Sequence, residues 1–376
     1  MNIALASISC DNRTGIGRVV RSLAGEFVAA GHAATVIAQH AESVPPGVLV
    51  RRLWKPPLSG AAGKLLFARQ TGSLFSRRRF DITNAFGVGR RADIVTASSC
   101  HRAAVEARSR FTRGRLRGRG VGLFDAVSLY DERVLMKAPV RVIAVSRLVR
   151  DELIEYYDLP AANISIVPNG IAPHPEADAG ESRIRVRTQA GVRGGDFLLL
   201  FIGNEFDRKG LETVLEAMSS MGDRRLRLLV VGDDDSRPYE SRAGELGVRG
   251  YVSFAGRTAH PEMYYAAADA FVLPTYYEPF GMVIIEAMAA GLPVITSARA
   301  GAVEGLVSGK HGLYLEDTLS PEELGRHIRS VMTDGELSAG LSRAGREAAR
   351  RFSWERIAKE TLDVYSDVIK GRSAHR

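Results

Sequence analysis

The chain has 376 residues, of which 45% are hydrophobic and 25% charged, an ordinary globular balance long enough for two hydrophobic cores. Its formal charge of +8 at pH 7 calls for an anionic partner such as a nucleotide, a phosphorylated glycan, a lipid surface or a nucleic acid, without choosing among them. No run of ~18 apolar residues is present, which excludes a membrane-spanning helix, and the only cysteines, Cys10 and Cys100, have no Cys or His at ligand spacing, which argues against a structural metal and for a reducing compartment.

Asn2 to Ile8 is an apolar run without a basic leader before it, and reads as a first strand and not a signal peptide. Gly17 to Ala30 follows with Val20, Leu23 and Phe27 at helical spacing and a stop at Gly31; Ala33 to Ala38 is the next strand. This β-turn-α-β opening implies a parallel sheet. In the turn R-T-G-I-G-R, Gly15 and Gly17 either let the backbone approach a ligand over the first strand or simply make the turn. The third glycine of a dinucleotide fingerprint would fall at Val20, so no nicotinamide cofactor is indicated. His32 reads as structural.

Between Arg51 and Phe80 the sequence carries Arg51, Arg52, Lys55, Lys64, Arg69 and Arg77 to Arg79 with no acid, interleaved with Leu65, Leu66, Phe67, Leu74 and Phe75. The pattern suits a basic surface resting on anionic headgroups or a solvated helix packing its apolar side on the sheet. Strand-like runs recur at Phe80 to Ala85 and Ala92 to Ala97, and His101 lies just past the second, where open α/β sheets gather their ligands. A second basic run, Arg102 to Arg119, is broken by Glu106 alone, and its glycines suggest a loop. Thin aromatic interleaving and the lack of a reader motif argue against nucleic acid as its partner.

Strands Val140 to Val145 and Ile164 to Val167 frame a helix from Ser146, and a hinge is expected at the start of the Pro-, Ala- and Gly-rich stretch 172 to 195. The second domain opens with the buried-type strand D-F-L-L-L-F-I-G, then G-N-E-F-D-R-K-G, then a helix marked by Leu211, Val214, Leu215 and Met218. Arg208 and Lys209 therefore sit at a strand-to-helix turn, where charge and helix dipole both favour phosphate. Leu226 to Asp233 and Tyr251 to Arg257 are further strands. Ala268 to Glu304 reads as strand (Ala270 to Pro274), turn, helix with Met282, Ile285 and Met288 on one face, stop at Gly291, and strand (Leu292 to Thr296). Pro279 suits that helix's first turn, so the N–H groups of Phe280, Gly281, Met282 and Val283 would be open to phosphate or sugar oxygens. Glu278 precedes the helix and Glu286 lies inside it, in surroundings too apolar and small for an ordinary solvated face. Ser320-Pro-Glu-Glu323 is a capping box, and a last helix begins near Phe352, with Ile357, Leu362, Val364 and Tyr365 available for packing.

The stretch E-P-F-G-M-V-I-I-E-A-M-A-A-G-L-P-V has seven residues between its glutamates, follows A-A-A-D-A-F-V-L-P-T and precedes Glu304; it resembles the donor-site signature of the GT-B retaining glycosyltransferases of family 4. R-V-I-A-V-S-R and V-P-N-G-I resemble the end of that family's first domain. The adjacent Arg208-Lys209 pair, separated in many members, resembles the lipopolysaccharide-core glucosyltransferase branch. The resemblance implies two doubly wound parallel-sheet, Rossmann-like domains facing across a cleft, residues 1–172 and 173–355, with a terminal helix 356–376 packing back on the first.

The same resemblance implies that Glu278 stands beside the reacting sugar, Glu286 holds the ribose hydroxyls, and Arg208 and Lys209 take the donor diphosphate. It turns Gly15 and Gly17 toward the cleft, Arg257 toward the base and His101 toward the acceptor. The implied reaction moves a sugar, with retention, from a UDP- or GDP-sugar to a glycan or lipid-linked acceptor in cell-envelope polysaccharide synthesis. It uses no metal or other cofactor and runs in the cytoplasm or at the inner membrane face. Two rival readings remain. A GT-B sugar-nucleotide epimerase shares the architecture but is less like the Glu278 to Glu286 segment, and a nucleic-acid-binding protein leaves that segment unexplained.

Overall fold

Ile3 to Ala6 and Leu198 to Phe201 are wholly buried on both faces, as strands are when helices cover both sides of a parallel sheet. The computed structural model describes residues 1–12, 14–55, 60–76, 79–111, 123–137, 141–172 and 179–373. The chain divides into two units, residues 1–106, 119–170 and 352–376 in one and residues 107–118 and 171–351 in the other.

The strands of the first half are β1 (Asn2–Ala6), β2 (Ser9–Cys10), β3 (Ala33–Ala38), β4 (His40–Ala41), β5 (Leu49–Arg52), β6 (Ile82–Phe86), β7 (Ile94–Ala97), β8 (Arg141–Ala144) and β9 (Ile164–Ile166). Its helices are α1 (Gly15–Ala29), α2 (Ala61–Phe75), α3 (His101–Phe111), α4 (Leu123–Lys137) and α5 (Arg147–Tyr157). Seven strands pair in parallel in the order β5-β3-β1-β6-β7-β8-β9, and β2 pairs separately with β4. The strand order reverses between β1 and β6, the switch point at which open α/β sheets form their crevice.

Helix α2 resolves one of the alternatives left by the basic stretch: Phe67, Ala68 and Phe75 are buried with Ala4, Ala6 and Ile37. Its apolar side therefore packs on the sheet. Lys64 reaches from it to donate to the Ser128 hydroxyl at 2.7 Å. Arg77 and Arg78 lie outside the described residues, as do residues 112–119 of the second basic run. The described part of that run is helix α3, not loop; the glycines that suggested a loop all come after it.

The second unit carries helices α6 (Ala179–Gln189), α7 (Leu211–Met221), α8 (Arg237–Glu245), α9 (Pro261–Ala267), α10 (Met282–Ala289), α11 (Pro321–Thr333) and α12 (Gly335–Ala349). Its strands are β10 (Phe197–Ile202), β11 (Leu226–Val231), β12 (Val252–Gly256), β13 (Ala270–Leu273), β14 (Val294–Ser297) and β15 (Leu313–Leu315). They form one parallel sheet in the order β12-β11-β10-β13-β14-β15, the doubly wound arrangement with its switch point between β10 and β13. The start of the stretch 172 to 195, where the hinge is expected, falls on residues 173–178, which lie outside the described residues; helix α6 follows it.

At Ser320 the cap differs from a reciprocal capping box. The Ser320 hydroxyl accepts the Glu323 N–H at 3.1 Å, but the Glu323 carboxylate takes the N–H groups of Glu316 and Asp317, because Ser320's own N–H is bonded to the Asp317 carbonyl. Among the described residues no helix is long and apolar enough to cross a membrane.

The last helix, α13 (Trp354–Ser373), belongs to the first unit and packs on α1. Tyr365 is wholly buried, meets the ring of Phe27 edge-on at 5.7 Å, and accepts a hydrogen bond from the Asn84 amide at 2.8 Å. Asn84 also donates to Thr96 at 2.9 Å, so a buried polar chain ties the C-terminal helix to the middle of the sheet. Tyr365→Phe leaves an amide N–H of Asn84 buried without that acceptor and should cost about 1–3 kcal/mol. The expected readout is a lower urea midpoint at unchanged slope.

Candidate active site

Because β10 and β13 flank the switch point, the loops that leave their carboxyl ends are neighbours. After β10, Gly203 turns with φ 155°, and a Cβ there would stand 2.3 Å from Lys209 Cδ, so the glycine makes room for the lysine stem. Lys209 is buried and its Nζ donates to Glu278 Oε2 at 2.7 Å. Arg208 Nη1 donates to the same oxygen at 3.3 Å and to the Tyr277 carbonyl at 2.5 Å, while its Nε donates to Glu205 Oε2 at 2.5 Å. Thr275 stitches the two loops together from its hydroxyl, which lies 3.1 Å from the Arg208 carbonyl and 3.0 Å from the Tyr277 carbonyl.

The electrostatics follow from burial and this sharing. Burial pushes the Glu278 carboxyl up, but Lys209 and Arg208 outweigh it and hold the group below the usual glutamate range. For Lys209, burial and the neighbouring Arg208 outweigh the pull of Glu278, so its ammonium is held below the usual lysine range. Burial also works against the Arg208 charge, yet Glu278 and Glu205 more than offset it, and the guanidinium stays a fixed cation. Two cations share one buried carboxylate, and the second acid on Arg208, Glu205, is largely exposed, so the buried part of the cluster is the cationic part and suits a multiply charged anion.

The helix beside this cluster starts later than Pro279 suggests. Gly281 is its N-cap, in left-handed backbone at φ 95°, and α10 begins at Met282. A Cβ at Gly281 would stand 2.9 Å from Glu278 Cγ, so the chain can pass close to the carboxylate only with glycine there. Among the described residues the N–H groups of Gly281, Met282 and Val283 have no backbone acceptor outside the helix. Phe280 is buried, precedes the helix, and its carbonyl accepts the Ala302 N–H at 2.7 Å. From Ile284 to Met288 α10 is buried all round, while Met282 is only half-buried, so no single apolar face exists.

Glu286 is buried within α10 and accepts from the Tyr265 hydroxyl at 2.9 Å. Tyr265, wholly buried on α9, and Glu205 and Thr275 in the loops are site neighbours that sequence patterns did not single out. Arg257 follows β12, where its guanidinium lies 3.4 Å from Asp233, with both side chains exposed.

In the first unit, Gly15 and Gly17 lie in the first turn of α1 and not in the turn before it, because Thr14 caps the helix by accepting the Gly17 N–H at 3.0 Å. A Cβ at Gly17 would stand 2.6 Å from Asp11 Oδ1, so this glycine lets the cap close. His101 opens α3 after β7; its Nε2 is 3.2 Å from Asp125 Oδ1 and its N–H donates to Glu132 at 2.8 Å.

Residues 13–174 match the family described as Glycosyltransferase Family 4, and residues 182–348 match Glycosyl transferases group 1. The chain is similar to the lipopolysaccharide glucosyltransferase WaaG of Escherichia coli K12, 33% identical over 229 residues that make up 58% of each chain. It spans less than two thirds of the length of the curated relatives it matches, between 55% and 59% of WaaG and two others. A crystal structure of WaaG superposes with a TM-score of 0.81 at 23% identity, over 96% of this chain and 99% of that one. The structure of HepE of Anabaena in complex with UDP-glucose does so with 0.76 at 17% identity, over 98% and 100%. These likenesses identify the fold as GT-B, with two parallel-sheet α/β domains.

Lys209→Met leaves Glu278 buried with Arg208 alone, and should cost about 3–5 kcal/mol, the range for breaking a buried ion pair from one side. Lys209→Met with Glu278→Leu should recover much of that in a double-mutant comparison. Because the folded Glu278 is held below its ordinary 4.5, its stabilising contribution is complete above pH 4.5 and is lost as pH falls through the lowered value. Lys209→Met raises that value toward the unfolded one, so a urea series across pH should show a smaller loss of stability on acidification in the variant than in the wild type.

Proposed function

The chain belongs to the family 4 (group 1) glycosyltransferases, and from that footing we propose that it moves a sugar from a nucleoside-diphosphate donor to an acceptor hydroxyl, with retention at the anomeric carbon. The observation that carries the proposal is the Arg208, Lys209 and Glu278 cluster at the switch point of the second sheet. As the sugar–phosphate bond breaks, negative charge grows on the departing diphosphate and the sugar takes on oxocarbenium character. Arg208, Lys209 and the N–H groups that open α10 meet the first. Glu278 holds and steadies the sugar, its Oε2 engaged by the two cations and its Oε1 left for sugar hydroxyls.

The departing phosphate itself takes the acceptor proton on the same face, so the mechanism invokes no protein nucleophile. Glu286, fixed by Tyr265, clasps the ribose. Arg208 and Lys209 supply the charge that a divalent metal supplies elsewhere, so transfer proceeds without one. UDP-glucose bound to HepE supports a UDP-sugar donor, with GDP-sugars as the alternative, and the name of WaaG supports a glycan or lipid-linked acceptor of the cell envelope. His101 serves the acceptor on this reading. The enzyme works in the cytoplasm beside an anionic membrane face, which the exposed Leu49, Val50 and Trp54 among Arg51, Arg52 and Lys55 would suit.

Three measurements test these points. Arg208→Ala should lower kcat by ~10²–10³, since it removes a preorganised donor to developing charge, whereas Glu286→Gln should chiefly raise the donor KM. A near-normal kcat in Arg208→Ala would make that residue a binding group only, and activity abolished by EDTA and restored by Mg²⁺ would refute the metal-free step. Vesicles rich in anionic lipid should cosediment the protein at low salt and release it as the Debye length shrinks below ~8–10 Å; equal binding to neutral vesicles would remove the membrane contact.

A further inference from the structure

Glu205 lies in the loop after β10 with φ 59°, the left-handed region that a residue with a side chain rarely adopts. Its neighbours tie the loop down without it: Asn204 accepts the Asp233 N–H at 2.9 Å and Asp234 accepts the Phe206 N–H at 2.8 Å. Glycine would hold this backbone at no steric cost. The Glu205 side chain is 67% exposed, and an ion pair so exposed contributes little to stability. A disfavoured backbone retained for a contact of little stabilising worth points to function.

The contact is with Arg208 Nε at 2.5 Å. With Nη1 held by the Tyr277 carbonyl and Glu278, two edges of the guanidinium are fixed, so its plane is fixed. Nη2 makes no hydrogen bond among the described residues. We propose that Glu205 is a positioning residue: it locks the guanidinium plane of Arg208 so that Nη2 is presented to the departing diphosphate. This rests on the assignment of Arg208 to the donor site. The aim matters more as charge grows than when the donor merely binds, because a misdirected cation still attracts a diphosphate but no longer donates along the breaking bond.

Two variants separate this role from a structural one. Glu205→Gly removes the carboxylate and relieves the backbone, so its melting temperature should equal or exceed that of the wild type while kcat falls by about tenfold or more. Glu205→Gln keeps an acceptor for Nε and should recover most of kcat. UDP and GDP affinities, measured by calorimetry, should stay within about threefold of the wild type in both variants. A glycine variant with wild-type kcat, or one whose loss is confined to KM, overturns the proposal while leaving the donor site in place. Wild-type protein that binds neither UDP nor GDP overturns the donor-site assignment itself, and this inference with it.

Discussion

One carboxylate oxygen shared by two cations holds the second unit's functional end together. Glu278 Oε2 takes both Lys209 and Arg208, and the three residues come from loops about seventy positions apart in the chain. Removing charges from water at such a site costs several kcal/mol per ion, which only close geometry and further hydrogen bonds repay. The Tyr277 carbonyl, the Thr275 hydroxyl and the Gly203 turn supply that geometry. Substitution by well-packed apolar residues would serve stability about as well, so an ionic arrangement here is better explained by chemistry than by folding.

The two buried positive charges depend on that arrangement in turn. A lysine beside an arginine would repel, and burial would drive the lysine toward neutrality; Glu278 opposes both effects. With Glu205 balancing Arg208 from an exposed position, Glu278 helps keep the two positive charges in place before any anion arrives. The N–H groups of Gly281, Met282 and Val283 add fixed dipoles of the same sign. Glycine at 281 is what lets these dipoles and the carboxylate lie side by side.

The first unit solves a different problem with the same topology. Its sheet also reverses order at its first strand, but its polar keystone is structural: Asn84, Thr96 and Tyr365 form a buried chain that joins the C-terminal helix to the sheet. Thr14 accepts the Gly17 N–H at the start of α1, and Glu132 takes the first two N–H groups of α3, so protein groups already cap both of these helix starts.

Strand and helix identity were legible in the chain because they are written in local periods: the apolar run 197–202, the helical spacing of Leu211, Val214, Leu215 and Met218, and the doubly wound alternation needed no distant partner. The Glu278 and Glu286 spacing and the Arg208-Lys209 pair are local too, and their resemblance to family 4 stands with the family matches. Tertiary structure decided the rest. Whether the apolar side of α2 meets a sheet or a lipid surface depends on what stands opposite it, and Ala4, Ala6 and Ile37 stand there. The start of α10 shifted from Pro279 to Met282 because a left-handed turn at Gly281 is set by the approach to Glu278, not by proline's helix preference. Tyr265 meets Glu286, and Tyr365 meets Asn84, only once the chain has folded. Periodicity records which way a side chain faces within its own element; it holds no record of the partner that burial will bring to it.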